Sequence, residues 1–265
     1  MSGRRKTTGD SIGFLFMDFP FLLSLSAFFV LLLFFQLGKV LRKKVGPIDE
    51  EDWKDFSLIL GATLTLTGLL IGFSFSMAVI RYDQRKNYEE EEANAIGTEY
   101  ARAELLPSPH DANVRRLLVK YLDQRIAFYV VRDDNRLARM NAETAQLQKQ
   151  LWSEVAASAA GQPTPTVSLA VSGMNDVLNR QGYTQAAWLN RIPVAAWSLM
   201  MLIAICSNLL IGYSIHKASG AICWVVPLVV AISFFLIADI DSPRRGLILV
   251  RPQNLMSLAE SLKAH

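Results

Sequence analysis

GLLIGFSFSMAVI, residues 68–80, continues directly into RYDQRKNYEEEEANAIG, residues 81–97, and this junction decides the fold. No glycine or proline separates the apolar segment from the charged one. A helix that begins in the apolar segment is therefore predicted to continue into the charged one. The four consecutive glutamates, Glu89 to Glu92, place the continuation of this helix among water or polar protein groups.

The chain has four uncharged segments that are long enough to cross a lipid bilayer. It contains 265 residues, of which 51% are hydrophobic, and its mean hydropathy is +0.24. A transmembrane helix needs about 20 apolar residues. The uncharged segments have 20 to 25 residues and cover 19–38, 56–80, 192–215 and 218–238. We therefore expect an integral, multi-pass membrane protein.

A long polar segment divides the four spans into two pairs. It carries 14 basic and 14 acidic side chains, and its apolar residues recur at helical spacing without strand-like alternation. The predicted fold is all-α, in a 2+2 arrangement with a helical domain between spans 2 and 3. The predicted organisation is an N-terminal cytoplasmic segment (1–18), a transmembrane hairpin (19–80), a helical cytoplasmic domain (81–191), a second hairpin (192–238) and a cytoplasmic tail (239–265).

The basic residues near the span ends predict the orientation. Eleven Lys and Arg residues lie on the side that the two termini and the middle domain share, against six on the opposite side. Short cytoplasmic segments carry an excess of Lys and Arg. Both termini are therefore predicted to be cytoplasmic, with the protein in an inner or plasma membrane.

The second span has two faces of different size. The first face is a stripe of small residues, Gly61, Thr65, Gly68, Gly72 and Ser76. Small residues let another helix approach closely in lipid, although they would also widen a pore. The second face is a row of bulky apolar residues, Leu66, Leu69, Phe73, Met77 and Ile80. In a symmetric oligomer such a row would form a hydrophobic gate, and contact with lipid is the alternative.

The four glutamates do not share one helix face, because successive helical residues are about 100° apart. Glu92 lies one turn from both Tyr88 and Ile96, on an apolar stripe. A carboxylate that faces protein needs a charged or hydrogen-bonding partner. The predicted partner is Arg125, which lies on an apolar helix face.

The other three glutamates, Glu89, Glu90 and Glu91, are predicted to be solvent, salt-bridge or pore-vestibule charges. Three carboxylates inside a pore mouth would attract cations and repel anions. A regulatory cation is a further possibility for this cluster, although the sequence lacks a loop-type Ca²⁺ site.

The remaining polar groups near the spans point to structural roles. Asn208 lies deep in the third span, and an interhelical hydrogen bond is its predicted role, with a part in conduction as the alternative. Asp239 and Asp241 follow the fourth span beside Arg244 and Arg245, which favours local charge pairing. No motif of a known enzyme class is present. We expect no catalytic residue, cofactor, metal site or nucleic-acid partner.

EEANAIGTEYARAELLP, residues 91–107, resembles a widespread family of bacterial and plant membrane proteins that is called bestrophin-like. The similarity extends to GFSFSMAVIRYDQRK at the second span and to DIDSPRRGLILVRPQNL at residues 239–255. The family is distantly related to bestrophins, which are pentameric anion channels with an apolar neck in the second span. The resemblance implies a homo-oligomer, with a pentamer suspected, in a lipid bilayer.

The leading hypothesis is an oligomeric ion channel whose second span lines an apolar-necked pore, with Phe73 and Met77 near the narrowest point. Kinship implies anions as the permeant ion, and the acidic residues after the span leave cations open. The alternative is a non-conducting membrane scaffold or accessory subunit that binds a protein through its helical domain. A coupled transporter ranks third, because no span holds a charged residue that could carry a proton.

Overall fold

A computed structural model describes residues 19–215 and 222–263. The predicted N-terminal segment 1–18 and the start of the fourth span lie outside the described residues. Eight α-helices follow one another in the described residues: α1 (Pro20–Val45), α2 (Glu50–Arg102), α3 (His110–Val130), α4 (Asp134–Gly161), α5 (Pro165–Leu189), α6 (Val194–Ser214), α7 (Ile222–Asp241) and α8 (Gln253–Lys263). A short 3₁₀ turn, Ala103–Leu105, follows α2.

The all-α class is confirmed, since the described residues form helices and no strand. Four helical segments are long and apolar enough to cross a membrane, and they contain α1, α2, α6 and α7. The prediction that the second span continues as a helix into the glutamate run is also correct. Helix α2 has 53 residues and contains the whole of the 68–97 junction.

Two helix ends differ from their predicted positions. Helix α1 extends past residue 38 to Val45 and includes Arg42, Lys43 and Lys44 in its last turn. Helix α2 begins at Glu50, ahead of the uncharged segment 56–80, and has Glu50, Glu51 and Asp52 in its first turn. Basic side chains at a helix C-terminus and acidic ones at an N-terminus are both favoured by the helix dipole, which explains the longer helices.

The chain divides into two compact units. We call the first the apolar unit; its described residues are 19–80, 191–215 and 222–248. We call the second the polar unit; its described residues are 81–190 and 249–263. Helix α2 contributes residues to both units.

In the apolar unit, α1 packs closely against α6 and α7. A side chain on Gly212 would collide with the carbonyl oxygen of Phe35, and one on Gly38 would collide with that of Leu209. The two backbones are therefore in direct contact. Arg42 also donates to the carbonyl oxygens of Tyr213 (2.7 Å) and Ser214 (2.9 Å), which lie at the C-terminal end of α6.

In the polar unit, one hydrophobic core joins α3, α4, α5, α8 and the second half of α2. On α5, the buried members Val167, Ala170, Met174 and Val177 are spaced by three and four residues, as an amphipathic helix requires. The largest fully buried members of the whole core are Tyr121, Leu118, Leu122, Leu151, Met174 and Ile96.

Candidate functional site

The bulky row of the second span is exposed in the single chain. Phe73 has 60% of its surface exposed and Met77 has 38%. Leu66, Leu69 and Ile80 are exposed as well. These side chains lie on one helix face, and none of them is buried among the described residues. The row is therefore available to line a pore or to contact lipid.

The small-residue stripe of the second span is also uncovered. A Cβ atom added at Gly61, Gly68 or Gly72 would meet no atom within 4 Å, and Thr65 and Ser76 are exposed. The stripe is therefore open to close approach along its glycines, as far as the described residues show. Its predicted role in close helix approach requires a second copy or another protein.

A third face of α2, missed at the sequence level, holds the second span in the apolar unit. Thr67, Ser74 and Ala78 are buried. The hydroxyl groups of Thr67 and Ser207 lie 2.7 Å apart and form a hydrogen bond between α2 and α6. The signal in the sequence is weak, because these residues are small and lie between the two more conspicuous rows.

Asn208 is completely buried, and the predicted interhelical hydrogen bond is absent among the described residues. Its Nδ2 group donates to the carbonyl oxygen of Ala204, one turn earlier in α6, at 2.8 Å. Its Oδ1 atom has no hydrogen-bond partner among the described residues. The interhelical hydrogen bond of α6 is made by Ser207 instead, because the Ser207 side chain faces α2.

The predicted pair of Glu92 and Arg125 lies at the centre of the polar unit. Arg125 Nε is 2.5 Å from Glu92 Oε1, and both side chains are 0% exposed. Thr184 on α5 donates to the other carboxylate oxygen at 3.2 Å. Burial acts to lower the pKa of Arg125, but the neighbouring Glu92 carboxylate outweighs this effect and raises that pKa above its usual value. The guanidinium therefore keeps its charge in the core.

Aromatic side chains enclose this ion pair. The Arg125 guanidinium lies 4.4 Å from the centre of the Phe128 ring, and Trp188 contacts both Phe128 and Tyr129 edge to face. Burial raises the pKa of Tyr129 above its ordinary value, and the Glu92 carboxylate adds to the increase. The phenol therefore stays neutral beside the ion pair.

The prediction that Glu89 is a solvent or vestibule charge is wrong. Glu89 is 1% exposed, and its carboxylate accepts hydrogen bonds from the backbone N–H of Leu255 at 3.0 Å and from Asn254 Nδ2 at 2.7 Å. Both donors lie in the first turn of α8. Backbone N–H groups there have no partner within their own helix, and a carboxylate is favoured beside them. Glu89 thus caps α8.

The other two glutamates of the cluster lie nearer the surface. Glu90 is exposed. Glu91 is partly exposed and forms an ion pair of 2.5 Å with Arg180 of α5. The four adjacent glutamates therefore occupy three environments: a buried ion pair, a buried helix cap and two surface positions.

The true buried stripe of α2 differs from the predicted one. It follows heptad-like steps of four, three, four, three and four residues through Arg85, Glu89, Glu92, Ile96, Glu99 and Ala103. Of the predicted stripe, Glu92 and Ile96 are buried, whereas Tyr88 is only half-buried. Because charged residues are rarely fully buried, a prediction based on apolar residues passes over a stripe with four charged members.

Asp239 organises the loop that follows α7. Its carboxylate accepts hydrogen bonds from the backbone N–H groups of Leu247 (2.6 Å) and Ile248 (2.9 Å). A side chain on Gly246 would collide with the Asp239 carbonyl oxygen, so glycine is required for this close turn. Asp241 accepts a hydrogen bond from the backbone N–H of Ile192 at 3.0 Å. Both carboxylates therefore hold backbone groups, a role that the prediction of charge pairing did not include.

The chain matches a known protein family over most of its length. The model of the Bestrophin-like domain matches residues 52–255, which is most of the sequence. The chain belongs to the bestrophin-like family. The matched region contains Glu89, Glu92 and Asp239, so the glutamates after the second span and the loop after the fourth have structural roles within a family domain. No curated protein matches the chain.

Solved structures similar to this bestrophin-like chain support its fold. A crystal structure of a variant of a bacterial bestrophin homologue from Klebsiella pneumoniae has a TM-score of 0.63 and 15% sequence identity, and the match covers 91% of this chain and 98% of that one. A second variant of the same homologue has a TM-score of 0.59 and 16% identity, with coverage of 88% and 98%. The fold therefore extends over almost the whole chain.

Replacing Glu89 by glutamine is expected to loosen α8. The neutral amide keeps one acceptor oxygen but loses the charge that favours the N-terminal end of α8, at a cost of about 1–2 kcal/mol. Hydrogen exchange of residues 253–263 should become several-fold faster. Glu90→Gln, which changes an exposed neighbour, is the matched control and should leave this exchange unchanged. Equal exchange in both variants would contradict the capping role of Glu89.

Proposed function

We propose that this bestrophin-like protein is a subunit of an oligomeric ion channel, in which the second span lines the pore. The observation that carries the proposal is an exposed row on one face of α2: Leu66, Leu69, Phe73, Met77 and Ile80. The other two faces of this helix are the small-residue stripe and the buried face that packs within the apolar unit. In this arrangement Phe73 and Met77 form an apolar neck. A narrow apolar ring restricts ion passage, because water leaves it readily.

The small-residue stripe supports the oligomer. Gly61, Gly68 and Gly72 have open space around them within the chain. Helix association in lipid depends on close packing, for which such residues are suited. A second copy packed on this stripe would leave the bulky row, which lies on another face of the same helix, to face a central axis.

The burial of Glu89 bears on the ion selectivity of the proposed channel. Glu89 caps α8, and Glu91 is paired with Arg180. Glu90 is the exposed member of the cluster, and no cation pairs with it among the described residues. The acidic residues after the second span are therefore weaker evidence against the anion selectivity that kinship suggests. We propose anions as the first permeant class to test.

Ion flux through purified protein in liposomes tests the channel. Phe73→Ala is expected to raise the flux roughly tenfold, which corresponds to a barrier lower by about 1.4 kcal/mol, because truncation widens the apolar neck. Met77→Ala should act in the same direction. The reversal potential under a salt gradient identifies whether anions or cations pass.

Phe75 provides the matched control for this test. It is exposed on the same helix, two residues from Phe73 and therefore about 200° around the helix. Phe75→Ala should leave the flux unchanged. Equal effects of the two substitutions would contradict the assignment of the neck, and no flux under any ion or pH gradient would leave the non-conducting scaffold as the better proposal.

A further inference from the structure

Helices α2 and α5 of the polar unit run antiparallel and are joined by a series of polar and aromatic contacts. Arg85 donates to the carbonyl oxygen of Ala187, and Tyr88 stacks on Tyr183. Further along, Glu91 pairs with Arg180, and Glu92 accepts a hydrogen bond from Thr184. Each of these contacts satisfies its polar groups with a specific partner.

Glu99 occupies the next position in this series and is different. Its side chain is 0% exposed, and neither carboxylate oxygen has a hydrogen-bond partner among the described residues. Oε2 lies where a side chain on Gly173 would be, so the carboxyl group fits directly against the α5 backbone. A buried carboxylate without a partner is strongly unfavourable, whereas a protonated carboxyl is tolerated.

The charged groups that act on Glu99 come from both helices. Arg102 on α2 approaches the same glycine, and Asp176 lies on α5. The nearby turn carries Glu104, which pairs instead with Arg115, and α8 contributes the apolar Leu258 at Gly97. The positive group and the negative group therefore have opposite effects on the pKa of Glu99. Burial remains the dominant effect on that pKa.

Burial raises the pKa of Glu99 from its ordinary value of 4.5 to about 8; Arg102 partly offsets this increase and Asp176 adds to it. The folded protein therefore holds a proton that the unfolded chain releases. Stability from this proton is complete below pH 4.5, decreases as the pH rises and is lost above about pH 8.

A polar cavity beside Glu99 gives the charged form a route to water. It has a volume of about 300 Å³, and its walls include Thr98, Arg102, Gly173 and Asp176. Glu99 does not line this cavity, but its Oε2 atom lies against Gly173, which does. A carboxylate that formed at this position would gain hydration only if α2 and α5 separated there.

We propose that Glu99 is a proton-dependent lock on the contact between α2 and α5, which holds while the carboxyl is protonated and opens when the proton is lost. The lock is a property of the polar unit alone. Its test is therefore independent of ion conduction and of the proposed pore.

Infrared spectroscopy of the full chain in detergent tests the proton itself. A carbonyl band from a protonated, buried carboxyl is expected near pH 6.5 in the wild type, with loss of the band at a midpoint of about 8. Glu99→Gln should remove the band, and Glu90→Gln should keep it. Asp176→Asn should lower the midpoint and Arg102→Met should raise it. A wild type without this band near neutral pH would overturn the proposal.

Hydrogen exchange of the α5 segment around Gly173 tests the opening. The intrinsic rate of amide hydrogen exchange depends on pH. Dividing the exchange rate in the wild type by that in Glu99→Gln cancels this dependence. We expect a ratio near one at about pH 6.5 and an increase of several-fold at about pH 9.5, on either side of the Glu99 pKa. Asp176→Asn should show the same increase at lower pH. A constant ratio across this range would overturn the lock.

Discussion

Replacing Arg125 by leucine is expected to lower the free energy of unfolding of the polar unit by about 3–5 kcal/mol. The substitution removes the partner of Glu92, whose side chain is 0% exposed. The Thr184 hydroxyl would remain as a single donor to this carboxylate among the described residues. Most of the loss comes from the uncompensated buried charge, since leucine restores part of the apolar volume.

Tryptophan fluorescence is a suitable measurement for this loss. Trp188 is 5% exposed and packs on Phe128, the same ring that the Arg125 guanidinium faces. The purified full chain is unfolded by denaturant in detergent, and Trp188 reports unfolding in a background where the other tryptophans are replaced. Arg125→Leu should unfold at a clearly lower denaturant concentration than the parent protein. Arg116→Leu, an exposed arginine on the same helix, is the control and should change stability by about 0.5 kcal/mol or less.

A double variant separates the charge effect from a packing effect. Glu92→Leu combined with Arg125→Leu removes both charges, and apolar replacements of a buried ion pair are often neutral or stabilising. The double variant should therefore regain most of the stability that Arg125→Leu loses. If it is less stable than either single variant, the cost lies in packing, and the account of Glu92 as an unpaired charge is wrong.

The features that depend on local periodicity were predictable from the sequence. Four uncharged segments identified the apolar helices, and the absence of glycine and proline from residues 73–96 predicted the long helix α2. The pairing of Glu92 with Arg125 was also accessible, because Glu92 lies one turn from the apolar Ile96 and Arg125 lies on an apolar helix face. In both cases the decisive information lies within a few helical turns.

The features that depend on distant partners were not predictable. Glu89 was predicted to be a solvent, salt-bridge or vestibule charge, but its partners, Asn254 and Leu255, lie about 165 residues away. Glu99 has an ordinary local sequence, and its environment is set by Gly173 on another helix. Adjacent glutamates on one helix thus differ because different elements pack on each face, and a single sequence does not encode that packing in any local pattern.

Replacing Gly212 by alanine is expected to destabilise the apolar unit, and this is the second large effect. The added methyl group would collide with the backbone carbonyl of Phe35 on α1. Backbone cannot rotate away as a side chain can, so α1 and α6 must separate. The surrounding contacts of Arg42 with the end of α6 would be strained as well. Forcing extra volume into such a contact costs about 1–3 kcal/mol for one methyl group.

Gly38→Ala should produce a similar loss, because Gly38 makes the reciprocal contact with α6 through the Leu209 carbonyl. Gly182→Ala is the control, since a Cβ atom there meets nothing within 4 Å and the residue lies inside α5. This variant should be unchanged or more stable by about 0.5–1 kcal/mol, because alanine favours a helix over glycine. Thermal unfolding in one detergent compares all three. Equal melting temperatures for Gly212→Ala and Gly182→Ala would contradict a backbone contact between α1 and α6, because only the first position lacks space for a methyl group.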